Sequence, residues 1–439
     1  MKELKEKIFE LVKEYYQQVH APHNKQFIAG KSRIGYAGRV FDQEEMLNLT
    51  DAALDFWLTH ADYTEKFEDQ LQSWLGVRFA QFVNSGSSAN LLAFMSLTSS
   101  TLDERRINRG DEIITVAAGF PTTVAPIMQY GAVPVFVDVD LETANVQVSK
   151  LEEAIGPRTK AVMIAHTLGN PFDLVAVKEL CDKHQLWLIE DNCDALGAKF
   201  QEKLTGTWGD FGTSSFYPAH HITTGEGGAV YTNDTKLFKI ARSIRNWGRD
   251  CWCVSGVDNT CGTRFAAQHG ELPFGFDHKY VFSHFGYNLK ASDLQAAIGC
   301  AQIAKLDSFV AKRNENFERI YAALEGFSDR IILPRATPNS QPSWFGFLMT
   351  IRDGSGLQRA EIVQALEESG IQTRNLFAGN LVRQPCFVSA QAGTDYRLIG
   401  ELTNTDKIMK DSFWIGVYPG LREVELEYMI EHCKKAFSR

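Results

Sequence analysis

The stretch AVMIAHTLGNPFDLVAVKELCDKHQLWLIED, residues 161–191, reads as strand, helix, strand. Ala161–His166 and Leu186–Glu190 are short, largely apolar runs, the composition of strands buried on both faces. Between them, Leu174–His184 carries its apolar residues at helical spacing. Two strands joined by one crossover helix lie parallel, because the helix returns the chain to the end of the sheet it left. The alternation extends outward on both sides. Phe79–Val83, Ile113–Ala117, Val133–Val139 and Gly228–Tyr231 read as further strands, and Ser87–Leu97, Thr122–Gln129 and Val148–Ile155 as helices. The prediction is an α/β fold, a mostly parallel sheet covered by helices on both faces. Ligands of such sheets bind at the carboxyl ends of the strands.

Beyond this core, Thr235–Arg245 predicts a helix, and 247–286 shows no sustained periodicity. That irregular segment is rich in aromatics (Trp252, Phe265, Phe274, Phe276, Tyr280, Phe282, Phe285), which argues against disorder. A helical pattern runs from Ser292 to Leu324. A strand (Phe345–Ile351) and two helices (Gln358–Ser369, Glu423–Lys434) then suggest a smaller α+β domain. The expected division is an N-terminal helical segment (1–40), a large α/β domain (41–308) with an insertion (248–285), and a C-terminal domain (309–439).

The 439 residues include 45 Lys+Arg and 54 Asp+Glu, a formal net charge of −9, with 44% apolar and 23% charged residues. This is the balance of a globular protein large enough to bury a core without staples. It speaks against fibrous, disordered and small disulfide-scaffold classes, and against a general nucleic-acid binder, which needs a basic face. Residues 1–16 place Ile8, Leu11, Val12 and Tyr15 at helical spacing among Lys and Glu, an amphipathic helix rather than a signal peptide. No apolar run reaches the ~18 residues of a membrane span. The expected location is the cytoplasm, where the eight cysteines stay reduced.

Three segments could carry chemistry. Asn84–Asn90, NSGSSAN, follows a strand and opens a helix, so it is either a phosphate site on free helix N–H groups or a Ser-capped turn. Glu190–Asp194, EDNCD, places acids at a strand's carboxyl end. Ser214–Gly228, SSFYPAHHITTGEGG, is a loop with a histidine pair leading into a strand. The Gly spacing and missing Lys exclude a Walker phosphate loop.

In this order, NSGSSANLLA, EDNCDALGA, SFYPAHHITTGEGGAV and GYNLKASDLQAAIG (286–299) resemble the sugar aminotransferase and dehydratase family of pyridoxal-phosphate enzymes, from about Gly35 to the C-terminus. The resemblance implies the aspartate-aminotransferase-like fold (fold type I) with a seven-stranded-type sheet. It implies that Gly86, Ser87 and Ser215 bind the cofactor phosphate, that Phe120 stacks on the pyridine ring and that Asp191 pairs with the ring nitrogen. It also implies a homodimer in which Asn288 reaches the neighbouring subunit's phosphate. Asp194 stands where relatives have Gln, at the cofactor hydroxyl.

One position departs from the pattern. His220 occupies the place of the lysine that holds pyridoxal phosphate covalently in the family. Imidazole cannot make that link, so the expected cofactor is pyridoxamine 5′-phosphate, or pyridoxal phosphate bound non-covalently. His220 can act as a base near pH 7, with His221 as its rival. Cys251, Cys253 and Cys261 lie in the insertion, and Cys193 lies two residues after Asp191, roughly 7 Å along an extended chain. Four thiolates suffice for a 2Fe–2S cluster or for zinc. Cys181, Cys300, Cys386 and Cys433 read as small core residues.

Histidine for lysine together with this cysteine group resembles the iron–sulfur 3-dehydratases of 3,6-dideoxyhexose and lipopolysaccharide O-antigen biosynthesis. The resemblance implies His220 as catalytic base and Cys193, Cys251, Cys253 and Cys261 as 2Fe–2S ligands. The implied reaction is C3 dehydration of a CDP-linked 4-keto-6-deoxy sugar, with electrons from an NADH-dependent flavin/iron–sulfur reductase. Arg374, Asn375 and Arg383 are candidate substrate contacts, because guanidinium forks suit pyrophosphate. The alternatives are a cluster-free 3-dehydratase of a GDP sugar (colitose type) and an aminotransferase relative lacking its lysine.

Overall fold

The computed structural model describes residues 2–21 and 26–439. Its larger sheet has eight strands, in spatial order Phe79–Val83, Gly228–Thr232, Phe211–Ser215, Trp187–Asp191, Thr159–Ala165, Glu112–Val116, Val133–Val137 and Arg397–Leu398. All are parallel except Gly228–Thr232, which runs antiparallel to both neighbours. The unit 161–191 sits at its centre as predicted, with Ala161 opposite Trp187 and Ala165 opposite Asp191.

The strand Phe211–Ser215 is not among the predicted strands, and its last two residues, Ser214 and Ser215, read as the start of a loop. Its residues, FGTSS, are small and polar and show no strand pattern, yet all five are buried. Gly212 is required there, since a Cβ would lie 2.0 Å from the Gly206 carbonyl oxygen. The eighth strand, Arg397–Leu398, comes from the C-terminal region and pairs with Val135 and Phe136.

The helix Gly86–Ser96 starts at Ser85, whose hydroxyl accepts from the Ser88 amide at 3.0 Å. It is buried nearly all round, as Ala89, Leu92, Ala93 and Phe94 show. The helix Pro121–Tyr130 begins on a proline, which loses no hydrogen bond at that position. Two helices were not anticipated, Gln43–Asp55 and Asp62–Leu75. The predicted helix from Ser292 to Leu324 is two, Asp293–Gln302 and Leu306–Leu324, separated by a 3₁₀ turn.

The smaller unit is a four-stranded antiparallel sheet, in order Ile331–Ile332, Gly346–Ile351, Ser412–Gly416 and Thr373–Arg374. Residues of Leu306–Leu324, Arg359–Glu368 and Glu423–Phe437 share its core, including Phe317, Ile362 and Leu426. The insertion holds no strand and one short 3₁₀ turn, His278–Tyr280, among the described residues. No helix among the described residues is long and apolar enough to cross a membrane. Cys181, Cys300 and Cys433 are buried as expected, but Cys386 is exposed. It follows Pro385 in a short turn whose inward residue is Phe387, so the reading of Cys386 as a core residue is corrected.

Candidate active site

Ala165, Asp191 and Ser215 end three adjacent strands, and all three line one cavity of about 320 Å³. The opposite wall comes from the smaller unit: Phe345, Arg374, Asn375, Phe377 and Trp414. Chemistry at the strand ends is therefore roofed by side chains more than a hundred residues away.

The floor at one end is the turn before the helix Gly86–Ser96. Gly86 and Ser87 line the cavity at its N-terminus, where amides point outward and the helix dipole favours an anion. Gly86 has no room for a side chain: a Cβ would meet Ser215 Cβ at 2.4 Å and Cys193 Sγ at 3.1 Å. The Ser215 hydroxyl is thereby brought beside the helix start. This cradle of amides, hydroxyl and close backbone suits a phosphate.

Asp191 is buried and immobilised. Oδ2 accepts from Asn90 Nδ2 at 2.8 Å and Thr123 Oγ1 at 2.6 Å, and Oδ1 accepts from the Cys193 amide at 3.2 Å. Asn90 Oδ1 in turn accepts from Thr213 Oγ1 at 2.7 Å. These supporting residues were not anticipated. Asn90 closes the NSGSSAN segment and Thr123 lies on the helix Pro121–Tyr130, and nothing in either stretch says that its side chain turns to Asp191. A carboxylate so fixed at the cavity floor suits a protonated ring nitrogen. Phe120 is half exposed at the rim and makes an edge contact with Phe377, ring centres 6.1 Å apart.

His220 faces Asp194, with Nε2 3.3 Å from Oδ1. Its Nδ1, like Asp194 Oδ2, is buried and lacks a hydrogen-bond partner among the described residues. Burial pushes the Asp194 carboxyl up, and the contact with His220 opposes it. The Phe345 ring lies 5.4 Å from the His220 ring. His221 turns away: its Nε2 donates to the Ser343 carbonyl at 2.8 Å, and burial with the nearby Arg313 holds its pKa well below the usual range. Of the histidine pair, His220 lines the cavity.

The adjacent acid, Glu190, is also fully buried but points into the protein. It accepts from the amides of Gly206 (2.6 Å), Trp208 (2.7 Å) and Gly209 (2.7 Å) and from His166 Nε2 (3.0 Å). It holds the loop before Phe211–Ser215 rather than a ligand.

Arg374 lines the cavity with its guanidinium 4.0 Å over the Tyr36 ring, whereas Arg383 does not reach it and pairs with Asp406 at 3.0 Å on the surface. Asn288 also lies outside the cavity, paired through its backbone with Asn246 and accepting from Lys290 at 2.6 Å. Cys193 lines the cavity, and Cys251, Cys253 and Cys261 do not. Burial and then Asp191 push the Cys193 thiol well up. In the insertion, burial pushes the Cys251 thiol up. Cys253 Sγ accepts from the Thr260 amide at 3.4 Å, and Cys261 Sγ lies 3.4 Å from His278 Nδ1, a contact that draws the Cys261 thiol down to about 7.

A family model described as the DegT/DnrJ/EryC1/StrS aminotransferase family matches residues 40–434. A lipopolysaccharide biosynthesis protein, RfbH, of Salmonella typhimurium is 51% identical over 99% of this chain and 98% of its own. A dTDP-4-dehydro-2,6-dideoxy-D-glucose 3-dehydratase of Saccharopolyspora spinosa is 47% identical over 97% of this chain and 91% of its own. Among solved structures, an E. coli GDP-4-keto-6-deoxy-D-mannose-3-dehydratase with bound hydrated PLP superposes with a TM-score of 0.81 at 29% identity, covering 92% of this chain and 100% of that one.

Proposed function

The chain belongs to the DegT/DnrJ/EryC1/StrS aminotransferase family and has its aspartate-aminotransferase-like fold, and we propose that it is a pyridoxamine-phosphate-dependent 3-dehydratase of nucleotide-linked 4-keto-6-deoxy sugars. The substrate we assign is CDP-4-dehydro-6-deoxyglucose, and the product serves 3,6-dideoxyhexose biosynthesis. The observation that carries the reading is the His220–Asp194 pair standing where the family's lysine should be, in a cavity that keeps its phosphate cradle and its fixed Asp191. Two of the similar proteins, the dTDP- and GDP-sugar enzymes above, are named as nucleotide-sugar 3-dehydratases.

The cavity's residues fit this cofactor. The Gly86 and Ser87 amides and the Ser215 hydroxyl would hold its phosphate, Asp191 its ring nitrogen and Phe120 one ring face. When bound, pyridoxamine phosphate supplies an amine that condenses with a ketone and a ring that accepts electrons from the adjacent carbon. Asp194 Oδ1, 3.3 Å from Nε2, would hold that side of the His220 ring, leaving the buried, unpartnered Nδ1 as the atom that would take a proton. Tyr36, Phe345 and Trp414 form an aromatic wall, ring centres 5.4–5.5 Å apart, that keeps water from the reacting face. Arg374, at its edge, is placed for the substrate's pyrophosphate.

We assign Cys193, Cys251, Cys253 and Cys261 to a 2Fe–2S cluster. Four thiols are a chemically right donor set for that group; Cys253 and Cys261 are shifted toward the ionised form that iron requires, while burial pushes Cys193 and Cys251 the other way. When bound, such a cluster would supply one-electron transfer, with electrons drawn from an NADH-dependent flavin/iron–sulfur reductase. We also propose a homodimer in which Asn288 reaches the partner's phosphate site.

Iron and acid-labile sulfide on anaerobically purified protein test the cluster; about two of each per chain are expected. Neither, after reconstitution, would leave a cluster-free dehydratase of the GDP-sugar type. His220→Lys tests the base: it is expected to bind pyridoxal phosphate covalently and to lose dehydration. Unchanged dehydration in that variant overturns the assignment of His220.

A further inference from the structure

Arg313 sits in the middle of the helix Leu306–Leu324, a solvent-facing helix on its outer side, and its side chain is fully buried. Among the described residues no carboxylate pairs with it. Its guanidinium instead donates to four main-chain carbonyls. Nη2 reaches His220 at 3.1 Å and Ala219 at 3.4 Å, and Nη1 reaches Phe345 at 3.4 Å and Trp344 at 3.5 Å. The guanidinium lies 5.6 Å from the Phe345 ring.

A buried cation without a counter-ion is costly to keep. Burial draws even this guanidinium down to about 9, with Asp194 acting against the shift. An aliphatic residue would pack the same space without that cost. What only a planar fork of donors can do is tie two separate pieces of main chain together at one point. Here one piece is the loop that carries His220, and the other leads into the strand Gly346–Ile351 of the smaller sheet.

We propose that Arg313 is a positioning residue for His220, locking the carbonyls of the base-bearing loop to those of Trp344 and Phe345 so that the imidazole, the Phe345 ring and Asp194 keep one fixed arrangement. The helix Leu306–Leu324 thus couples the two halves of the cleft through one side chain. The inference rests on the reading of His220 as the base.

Arg313→Lys keeps the charge but loses the fork, and Arg313→Ala opens a cavity that free guanidinium ion can enter. Displacing a reacting group by about 1 Å costs on the order of 100-fold. Arg313→Lys is therefore expected to lower kcat about 100-fold while KM for the sugar changes less than about threefold, with faster amide hydrogen exchange in segment 217–221 of the full chain. Millimolar guanidinium is expected to restore part of the Arg313→Ala rate. Unchanged exchange in 217–221, a loss confined to KM, or failure of Arg313→Lys to fold each overturns the proposal, the last by making Arg313 a core residue only. The exchange readout is independent of the chemistry. Loosening of the loop by Arg313→Lys alongside full activity in His220→Asn would sink the base assignment and leave the tether standing.

Discussion

In the cleft, Asp191 is held by Asn90, Thr123 and the Cys193 amide inside the protein, and Glu190 by three amides and His166. In the insertion, the corresponding work falls to ion pairs that water partly reaches: Arg264 with Asp277 (2.7 Å) and Asp258 (3.1 Å), and Lys279 with Asp258. Around them Phe265, Phe274, Tyr280, Phe282 and Phe285 are exposed, so the segment has little apolar core of its own. Buried hydrogen bonds to charged groups are strong because the alternative is an unpartnered charge. Exposed ion pairs contribute little and are screened by salt. The cleft should therefore open only when the whole domain unfolds, and the insertion well before it.

The largest effect expected is on the chemistry. His220→Asn should lower dehydration about 1,000-fold with the fold intact, as removal of a general base does. Steady-state turnover beside an unchanged circular dichroism spectrum checks it. Next comes the scaffold. Glu190→Ala strands the amides of Gly206, Trp208 and Gly209 together with His166, and should cost about 3–5 kcal/mol in a denaturant titration. Little loss there would erase the contrast with the insertion. Gly86→Ala forces a methyl into Ser215 and should weaken binding of pyridoxamine phosphate about 10- to 100-fold, measured by equilibrium dialysis.

The smallest effects belong to the insertion. Arg264 holds Asp277 down to about 2 from an ordinary 3.8. A carboxyl lowered on folding stabilises above its ordinary pKa, and the contribution fades as pH falls from about 4 through about 2. Pepsin nicking within 248–285 should rise across that window before the cleft opens. Asp277→Asn should show the same nicking already at pH 4, with a Tm change below about 1 °C. Cleavage that begins in the sheet instead would show that the two regions are one cooperative unit.

Much of the fold was legible. Phe79–Val83, Leu174–His184 and Thr235–Arg245 fall where the periodicity put them. The strand Phe211–Ser215 did not, because a small polar strand is buried by its neighbours rather than by its own side chains. The turn at 303–305 breaks a pattern whose apolar spacing continues through it, so periodicity alone could not find it. In the site, Gly86, Asp191, Ser215 and His220 were legible from motif order, and the structure gathers them into one cavity. Arg383 was read by the same logic as Arg374 and lies on the surface with Asp406, because a charge run does not say which member faces inward.

The sequence by itself determined the alternation of strand and helix, the phosphate-type turn, the acid at the strand end and the absence of lysine at His220. Each is a local feature, fixed by spacing and by the chemistry of a few adjacent residues. Only the tertiary structure decided that Asp194 faces His220, that His221 turns to Ser343, that Arg313 ties the His220 loop to Phe345, and that Cys193 stands in the cleft while Cys251, Cys253 and Cys261 do not. Those relations join residues up to about 120 positions apart. They follow from how two sheets pack on one helix, and close packing, unlike periodicity, leaves no trace in any single stretch of chain.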